Sequence, residues 1–348
     1  MTASRRLGVD CNERSDRNNR AGEDMRAIVV EDWTEPGQLT VKEIAAPQLS
    51  PGSLLIEVRA AGCNFFDILM VQGRYQQRPP FPFTPGAEVG GIVLEVGGGV
   101  EGFSVGDRVF ASCGLGAFAE QVVAPAAATW KMPDDMPYAD AAALPIIYPT
   151  SFAALVYRAR LEKGETLLVH AAAGGVGIAA VQVGKTLGAR VIATAGSPDK
   201  LEVARRVGAD VAIDYREEDF VSRVKEETGG RGADVIYDSV GGEIFDQSLR
   251  CIAWNGRLLV IGFAGGRIPE VKVNRILLKN ISVVGLHWGA YASREPDRIS
   301  QTFDALLDLY HQGQIKPESF KTYALDEVSV ALEALASRKT YGKLIVTP

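Results

Sequence analysis

Residues 167–184, LLVHAAAGGVGIAAVQVG, carry the strongest chemical signal in the chain. Counting back from Gly177 as the third glycine of a G-x-G-x-x-G fingerprint puts Gly174 second and Ala172 at the first position. In such a turn the second glycine lets the backbone approach a pyrophosphate. The third lets helix and strand pack closely, and the amides of the helix N-terminus then face the phosphates. A Gly-rich packing turn is the alternative. What favours the phosphate reading is context, because the motif lies between an apolar strand and an amphipathic helix inside a run of β-α units. Ala172 is a departure from the strict fingerprint. Gly97-Gly98-Gly99 has no helix pattern after it and reads as a plain turn.

The choice of dinucleotide rests on the next strand. An NAD site places Asp or Glu about 20 residues further on, accepting from the ribose 2′-hydroxyl. Here the strand ends in Thr194-Ala195-Gly196-Ser197, without an acid. Lys200 follows, where a cation meets a 2′-phosphate, and Tyr215 and Arg216 end the third strand nearby. Asp199, after Pro198, reads as a first-turn residue complementing the helix dipole. Lys200 could also be an ordinary solvated helix lysine. The expected cofactor is NADPH. The three histidines suggest no other centre: His170 ends a buried strand and His311 a polar helix, whereas His287, beside Trp288, is a candidate ligand contact. No serine lies in G-x-S-x-G, which excludes that hydrolase class.

The elements that must hold these residues follow from the hydrophobic pattern. From Met25 to about Tyr148 short strands are broken by Gly and Pro roughly every ten residues, which predicts a small β-barrel. From about Ser151 strand and helix alternate strictly, and the strands are continuously apolar. That is the pattern of a doubly wound parallel sheet buried on both faces. After Trp288 two helix patterns and two strand patterns follow, ending in GKLIVTP, and are expected to return to the first unit. The predicted fold is thus α/β, with a barrel over 25–147 and 286–348 and a nucleotide-binding unit over 148–285. Residues 1–24 have no apolar periodicity and are expected to form a disordered tail or to reflect an upstream start codon.

With 37 basic and 43 acidic side chains the net charge is −6, which argues against nucleic-acid binding as the main role. No window approaches the ~18 apolar residues of a membrane-spanning helix. Cys11, Cys63, Cys113 and Cys251 are scattered without a C-x-x-C pair. That excludes a disulfide scaffold and a zinc ribbon, and suits a reducing cytoplasm.

AGCNFFDILMVQGRY, PFTPGAEVGGIVLEVG, GDRV, HAAAGGVGIAAVQVGK, IDYREEDF, YDSVGG, LLVIGFAGG and the closing GKLIV occur in this order. On these motifs the chain, from Met25 to Pro348, resembles the zinc-independent medium-chain dehydrogenases/reductases. The likeness is to the NADPH:quinone oxidoreductase (ζ-crystallin) family and its quinone-oxidoreductase-like branch. The resemblance implies a GroES-like barrel as catalytic domain, an inserted Rossmann domain that binds NADPH, and substrate in the cleft between them. It implies that Ala173, Gly174, Gly175, Val176 and Gly177 form the pyrophosphate loop, and that Ser197, Lys200, Tyr215 and Arg338 surround the 2′-phosphate. Ser239, Phe263, Leu286, His287 and Trp288 fall in loops around the nicotinamide ribose, and Asn64 and Thr150 beside the ring. A homodimer or homotetramer is expected, with ISVVGLHWG a candidate sheet edge for pairing across a two-fold axis.

Zinc-dependent members of the superfamily carry a Cys ligand three residues before an Asp, and a His in a G-H-E triplet. Here Asn64 precedes Asp67 by three, and the triplet reads Gly86-Ala87-Glu88. Neither Asn64 nor Ala87 is a zinc ligand, and Cys63 lies one residue off register as a buried filler, so no metal is expected. Hydride addition to an isolated ketone builds an alkoxide that needs a Lewis acid or proton donor. Addition to a quinone or enone gives a delocalised anion that the Asn64 amide, the Thr150 and Tyr75 hydroxyls or water could hold. The expected substrate is therefore a quinone or related conjugated carbonyl. An enone or enoyl-thioester reductase remains an alternative, since Tyr75 stands in Gln72-Gly73-Arg74-Tyr75, and so does a non-enzymatic, crystallin-like NADPH-binding protein. Asn64 could instead bridge backbone groups, Tyr75 could pack as a plain aromatic, and Asp67 reads as a helix N-cap.

Overall fold

The structure, a computed structural model, describes residues 24–348. The expected tail lies outside the described residues except for Asp24, which opens the first strand. β1 (Asp24–Ile28) pairs antiparallel with β2 (Val41–Ala45). β3 (Ser53–Cys63), β4 (Glu88–Val96), β5 (Arg108–Ser112), β6 (Gln121–Pro125) and β7 (Thr129–Lys131) build most of a seven-stranded sheet. Then come β8 (Thr166–Val169), β9 (Arg190–Ala195), β10 (Val211–Asp214), β11 (Ala233–Asp238), β12 (Ile252–Val260) and β13 (Ser282–Gly285). These form one parallel sheet in the order β10-β9-β8-β11-β12-β13. β14 (Ser319–Ala324) and β15 (Lys343–Thr347) rejoin the first sheet, in the order β14-β15-β3-β4-β5-β7 with β6 paired to β3.

Burial explains the assignment. β11 is buried at every position and β8 likewise, as strands covered by helices on both faces must be. Leu168, Ile192, Ile236 and Leu258 face one layer of helices, and Leu167, Val169, Val191 and Val235 face the other. Leu54, Ile56 and Val58 of the first sheet, with Phe118 of the loop before β6, pack with Leu344 and Val346 of β15, so early and late segments of the described chain share one core.

Two features differ from the sequence reading. A helix, Ile147–Phe152, runs across residue 148, where the chain was expected to change unit, and continues as a π-helical stretch over Ala153–Arg158. A second helix, Val273–Lys279, has no buried residue at all. The first is apolar almost all round, and the second, although Val273, Ile276 and Leu277 stand at i, i+3 and i+4, is only 7 residues long.

Candidate dinucleotide and acceptor site

The order of the parallel sheet reverses between β8 and β11, and the Gly-rich turn leaves β8 at that point. Crevices at such switch points take ligands in open α/β sheets. Gly174, at φ −77° and ψ 167°, is the N-cap of the helix Gly175–Thr186. A Cβ on Gly177 would lie 2.3 Å from the Ala171 carbonyl oxygen and 2.8 Å from the Ala172 Cα, so the helix can approach the strand only with glycine there. The left-handed residue of the turn is Ala171 (φ 49°) rather than Ala172, which is why Ala172 tolerates a side chain where the fingerprint has its first glycine. His170 is buried just before the turn, between Thr194 Oγ1 (3.0 Å) and Ser248 Oγ (2.9 Å). Burial pulls its imidazole down to about 3, so it is neutral and structural.

At the tip of β9, Ser197 caps the helix Pro198–Arg206 without spending its side chain on the cap. A Cβ on Gly196 would meet the Tyr215 hydroxyl at 2.5 Å and Arg216 Nε at 3.1 Å, so both side chains lie against the strand end. Lys200 Nζ donates to the Arg338 carbonyl at 2.6 Å. Burial, with Arg216 and Arg338 nearby, lowers the affinity of its ammonium for the proton. Among the described residues none of these three cations is ion-paired. Arg216 was noticed in the sequence only as a neighbour; here it stands with Lys200 and Arg338 around one point. Like charges gathered without an acid fit a bound phosphate, and the glycine cradle fits a pyrophosphate.

The remaining cofactor candidates lie along the same crest. Ser239, after β11, accepts from Ala264 N at 3.1 Å, which brings its loop against Phe263 after β12. Arg338 reaches from the barrel side to donate to the Ala264 carbonyl. Leu286 N bonds Val260 O at 3.2 Å, and Trp288 stacks on Tyr291 with centroids 5.2 Å apart. Leu286 and the exposed His287 line a cavity of about 220 Å³ with Arg158, Tyr291 and Arg294.

Asn64, Thr150 and Tyr75 differ in what they have free. Asn64 is buried and caps the helix Phe65–Val71, with Asp67 as the third residue of a capping box: Asn64 N donates to Asp67 Oδ2 at 2.7 Å. The expectation that Asp67 is the N-cap is therefore corrected by three residues. Asn64 Nδ2 donates to Glu88 Oε1 at 2.7 Å, and its Oδ1 accepts from Lys343 Nζ at 2.8 Å. Thr150 Oγ1 donates to the Ile146 carbonyl at 2.6 Å, so its proton is committed too. Tyr75 packs on Phe66 at 5.5 Å, half-buried, and its hydroxyl has no hydrogen bond among the described residues. Burial and then Asp67 hold that phenol above its ordinary value, so it stays protonated as a donor. Burial lifts the Asp67 carboxyl itself up to about 7, against bonds from the Asn64 and Gly86 backbone. Cys63 is 3% exposed, its thiol pushed up by burial. Among the described residues no group of three or more His, Cys, Asp or Glu is placed to hold a metal ion.

Sequence reading assigned no role to Lys343 or Glu88. The signal was present: a lysine opening the apolar strand KLIV, and a glutamate opening EVGGIV, must find partners if those strands are buried.

Comparison with known proteins agrees with this architecture. Residues 50–134 match a family model described as alcohol dehydrogenase GroES-like domain, and residues 175–311 one described as zinc-binding dehydrogenase. The chain is 40% identical over 325 residues to a protein of Nematostella vectensis named quinone oxidoreductase-like protein 2 homolog, covering 92% of this chain and 88% of that one. Among solved structures, mycobacterial Rv1454c complexed with NADPH is 36% identical with a TM-score of 0.87, covering 93% of this chain and all (100%) of that one. The quinone oxidoreductase of Escherichia coli complexed with NADPH is 31% identical with a TM-score of 0.85, covering 93% and 99%.

Proposed function

Because the chain belongs to the medium-chain dehydrogenases/reductases, in the quinone-oxidoreductase branch, we propose that it is an NADPH-dependent oxidoreductase that reduces quinones or related conjugated carbonyls without a metal. NADPH, when bound, supplies the hydride. Gly174, Gly175 and Gly177 take the pyrophosphate on the helix N-terminus, and Ser197, Lys200, Tyr215, Arg216 and Arg338 take the 2′-phosphate. Ser239, Phe263 and Leu286 to Trp288 hold the ribose and ring side of the crest.

One observation carries the choice of acceptor. Of the three candidate donors, only the Tyr75 hydroxyl is uncommitted among the described residues. Asn64 and Ala87 stand where zinc-dependent relatives carry ligands, and neither is one. Burial makes this phenol a weaker acid than a free one, so it serves best as a hydrogen-bond donor. A product anion that delocalises its own charge needs no more than that, whereas a localised alkoxide would take the proton outright. In this reading Tyr75 donates to the acceptor oxygen, and Asn64 and Thr150 shape the floor beneath the ring.

The test is turnover of NADPH against a quinone panel, an enone panel and an enoyl-thioester panel, in the parent and in Tyr75→Phe. Quinones should be reduced, and Tyr75→Phe should lose one hydrogen bond's worth of rate, about two- to tenfold. The second reading, an enone or enoyl-thioester reductase, is favoured by the Gln72-Gly73-Arg74-Tyr75 context. It predicts a loss of ~10²–10⁴-fold in Tyr75→Phe, since a basic enolate needs its general acid. Silence on all three panels would leave an NADPH-binding, crystallin-like protein.

We further propose a homodimer. β13 is an edge strand, and in the segment that leads into it Ile268, Val273, Leu277 and Leu278 are exposed apolar residues. A second copy of the chain extending the sheet across a two-fold axis would cover both. Among the described residues Cys63, Cys113 and Cys251 are free, and no helix is long and apolar enough to cross a membrane. The free thiols support a reducing cytoplasm as the working compartment.

A further inference from the structure

Lys343 opens the closing strand and is 2% exposed, and Glu88 opposite it is 0% exposed. The ammonium has three protons and three acceptors: Cys63 O at 2.7 Å, Asn64 Oδ1 at 2.8 Å and Glu88 Oε1. Glu88 is occupied in turn, accepting from Asn64 Nδ2 at 2.7 Å and, through its other oxygen, from Ile146 N at 2.9 Å, at the head of the helix that carries Thr150. Every polar atom of the Asn64 carboxamide is thus held by a side chain that is itself held.

The other side of the same residue faces the phosphate turn. Gly342 N donates to Ala173 O at 2.7 Å, and Lys343 N donates to Glu318 O at 2.8 Å. Gly342 is left-handed (φ +52°), and a Cβ there would lie 2.1 Å from the Glu318 carbonyl oxygen, so nothing larger fits. The Lys343 stem runs beneath the first residue of the phosphate-binding helix, its Cδ 3.4 Å from where a Cβ on Gly175 would be.

We propose that Lys343 is a positioning residue for the reaction. Its backbone neighbour is fastened to the pyrophosphate turn while its ammonium fixes the Asn64 carboxamide, so the cofactor loop and the floor of the acceptor site are set in one register. The helix Ile147–Phe152 runs alongside this link, with Ser151 Oγ donating to Val176 O at 2.9 Å and Ile146 N at its head donating to Glu88, but Lys343 is the residue whose own ammonium holds the Asn64 carboxamide. The proposal rests on the reading that Asn64 lies beside the nicotinamide ring.

Lys343→Met alone strands a buried carboxylate and can fail to fold, so the informative variant is Lys343→Met/Glu88→Gln, which removes both charges. Three quantities are read: melting temperature, NADPH affinity by fluorescence titration, and kcat with a simple quinone. A fourth is the emission of bound NADPH. The double variant should melt close to the parent and bind NADPH within about threefold, because the Gly342–Ala173 link is backbone. Its kcat should fall ~30-fold at an unchanged KM for NADPH, and the emission of bound NADPH should move toward that of the free cofactor. A folded double variant with parental kcat and parental emission overturns the proposal and leaves Lys343 a structural ion pair. If the parent reduces no conjugated acceptor, the functional reading fails by itself. The emission comparison then decides on Lys343 alone, unchanged emission overturning it.

Discussion

Lys200, Arg216 and Arg338 crowd the tip of β9 with no ion-pair partner among the described residues, and that crowding is the most informative feature at the scale of single side chains. The repulsion is relieved only when an anion arrives, so removing one cation should weaken the phosphate-bearing dinucleotide selectively. A charge-assisted contact contributes ~1.5–3 kcal/mol, so Lys200→Ala should raise the KM for NADPH about ten- to hundredfold and leave that for NADH nearly unchanged. Steady-state kinetics with both cofactors decides it, and equal parental efficiency with NADH and NADPH would overturn the premise. The role proposed for Lys200 could be put forward from sequence because it is local, a fixed offset from a strand end. The engagement of Asn64 was not. Its partners Glu88 and Lys343 lie 24 and 279 residues away in the chain, and only the folded barrel brings them within 3 Å. Arg216 was seen but not weighed, since its position next to Tyr215 says nothing of where the guanidinium turns.

Among the elements, the phosphate turn and its helix read best from sequence, because strand, turn and helix each impose a different period and a glycine requirement. That requirement is measurable. Gly177→Ala places a methyl 2.3 Å from the Ala171 carbonyl oxygen, where backbone rather than a flexible side chain must move. Overpacking of this kind costs ~1–3 kcal/mol, and here it would also tilt the helix N-terminus proposed to face the phosphates. Urea denaturation should register the stability loss and fluorescence titration a loss of NADPH affinity in the same variant. Stability and affinity both unchanged would show that the helix does not touch its strand there. Less legible were Ile147–Phe152 and Val273–Lys279. The first is mostly buried and apolar on more than one side, and the second, with Val273, Ile276 and Leu277 on one face, is only 7 residues long, too short for a period to stand out.

For the molecule as a whole, the unburied helix and the edge strand β13 belong together. If a second copy covers them, the parent should elute and scatter light as a dimer at micromolar concentration. Leu277→Glu/Leu278→Glu should shift it to monomer without altering its far-ultraviolet spectrum. A monomeric parent would contradict the proposed assembly. A different property follows from the closing strand, which pairs Leu344, Ile345 and Val346 with Cys63, Gly62 and Ala61. During synthesis the six strands of the parallel sheet, complete by Gly285, are all delivered before Lys343 exists. The nucleotide-binding sheet can therefore close on a growing chain while the older, N-terminal sheet waits. Until Lys343 and the strand it opens have left the ribosome, the far end of β3 is an open edge and Glu88 is a carboxylate without its cation. Of the two larger sheets, the one begun first is the one completed last.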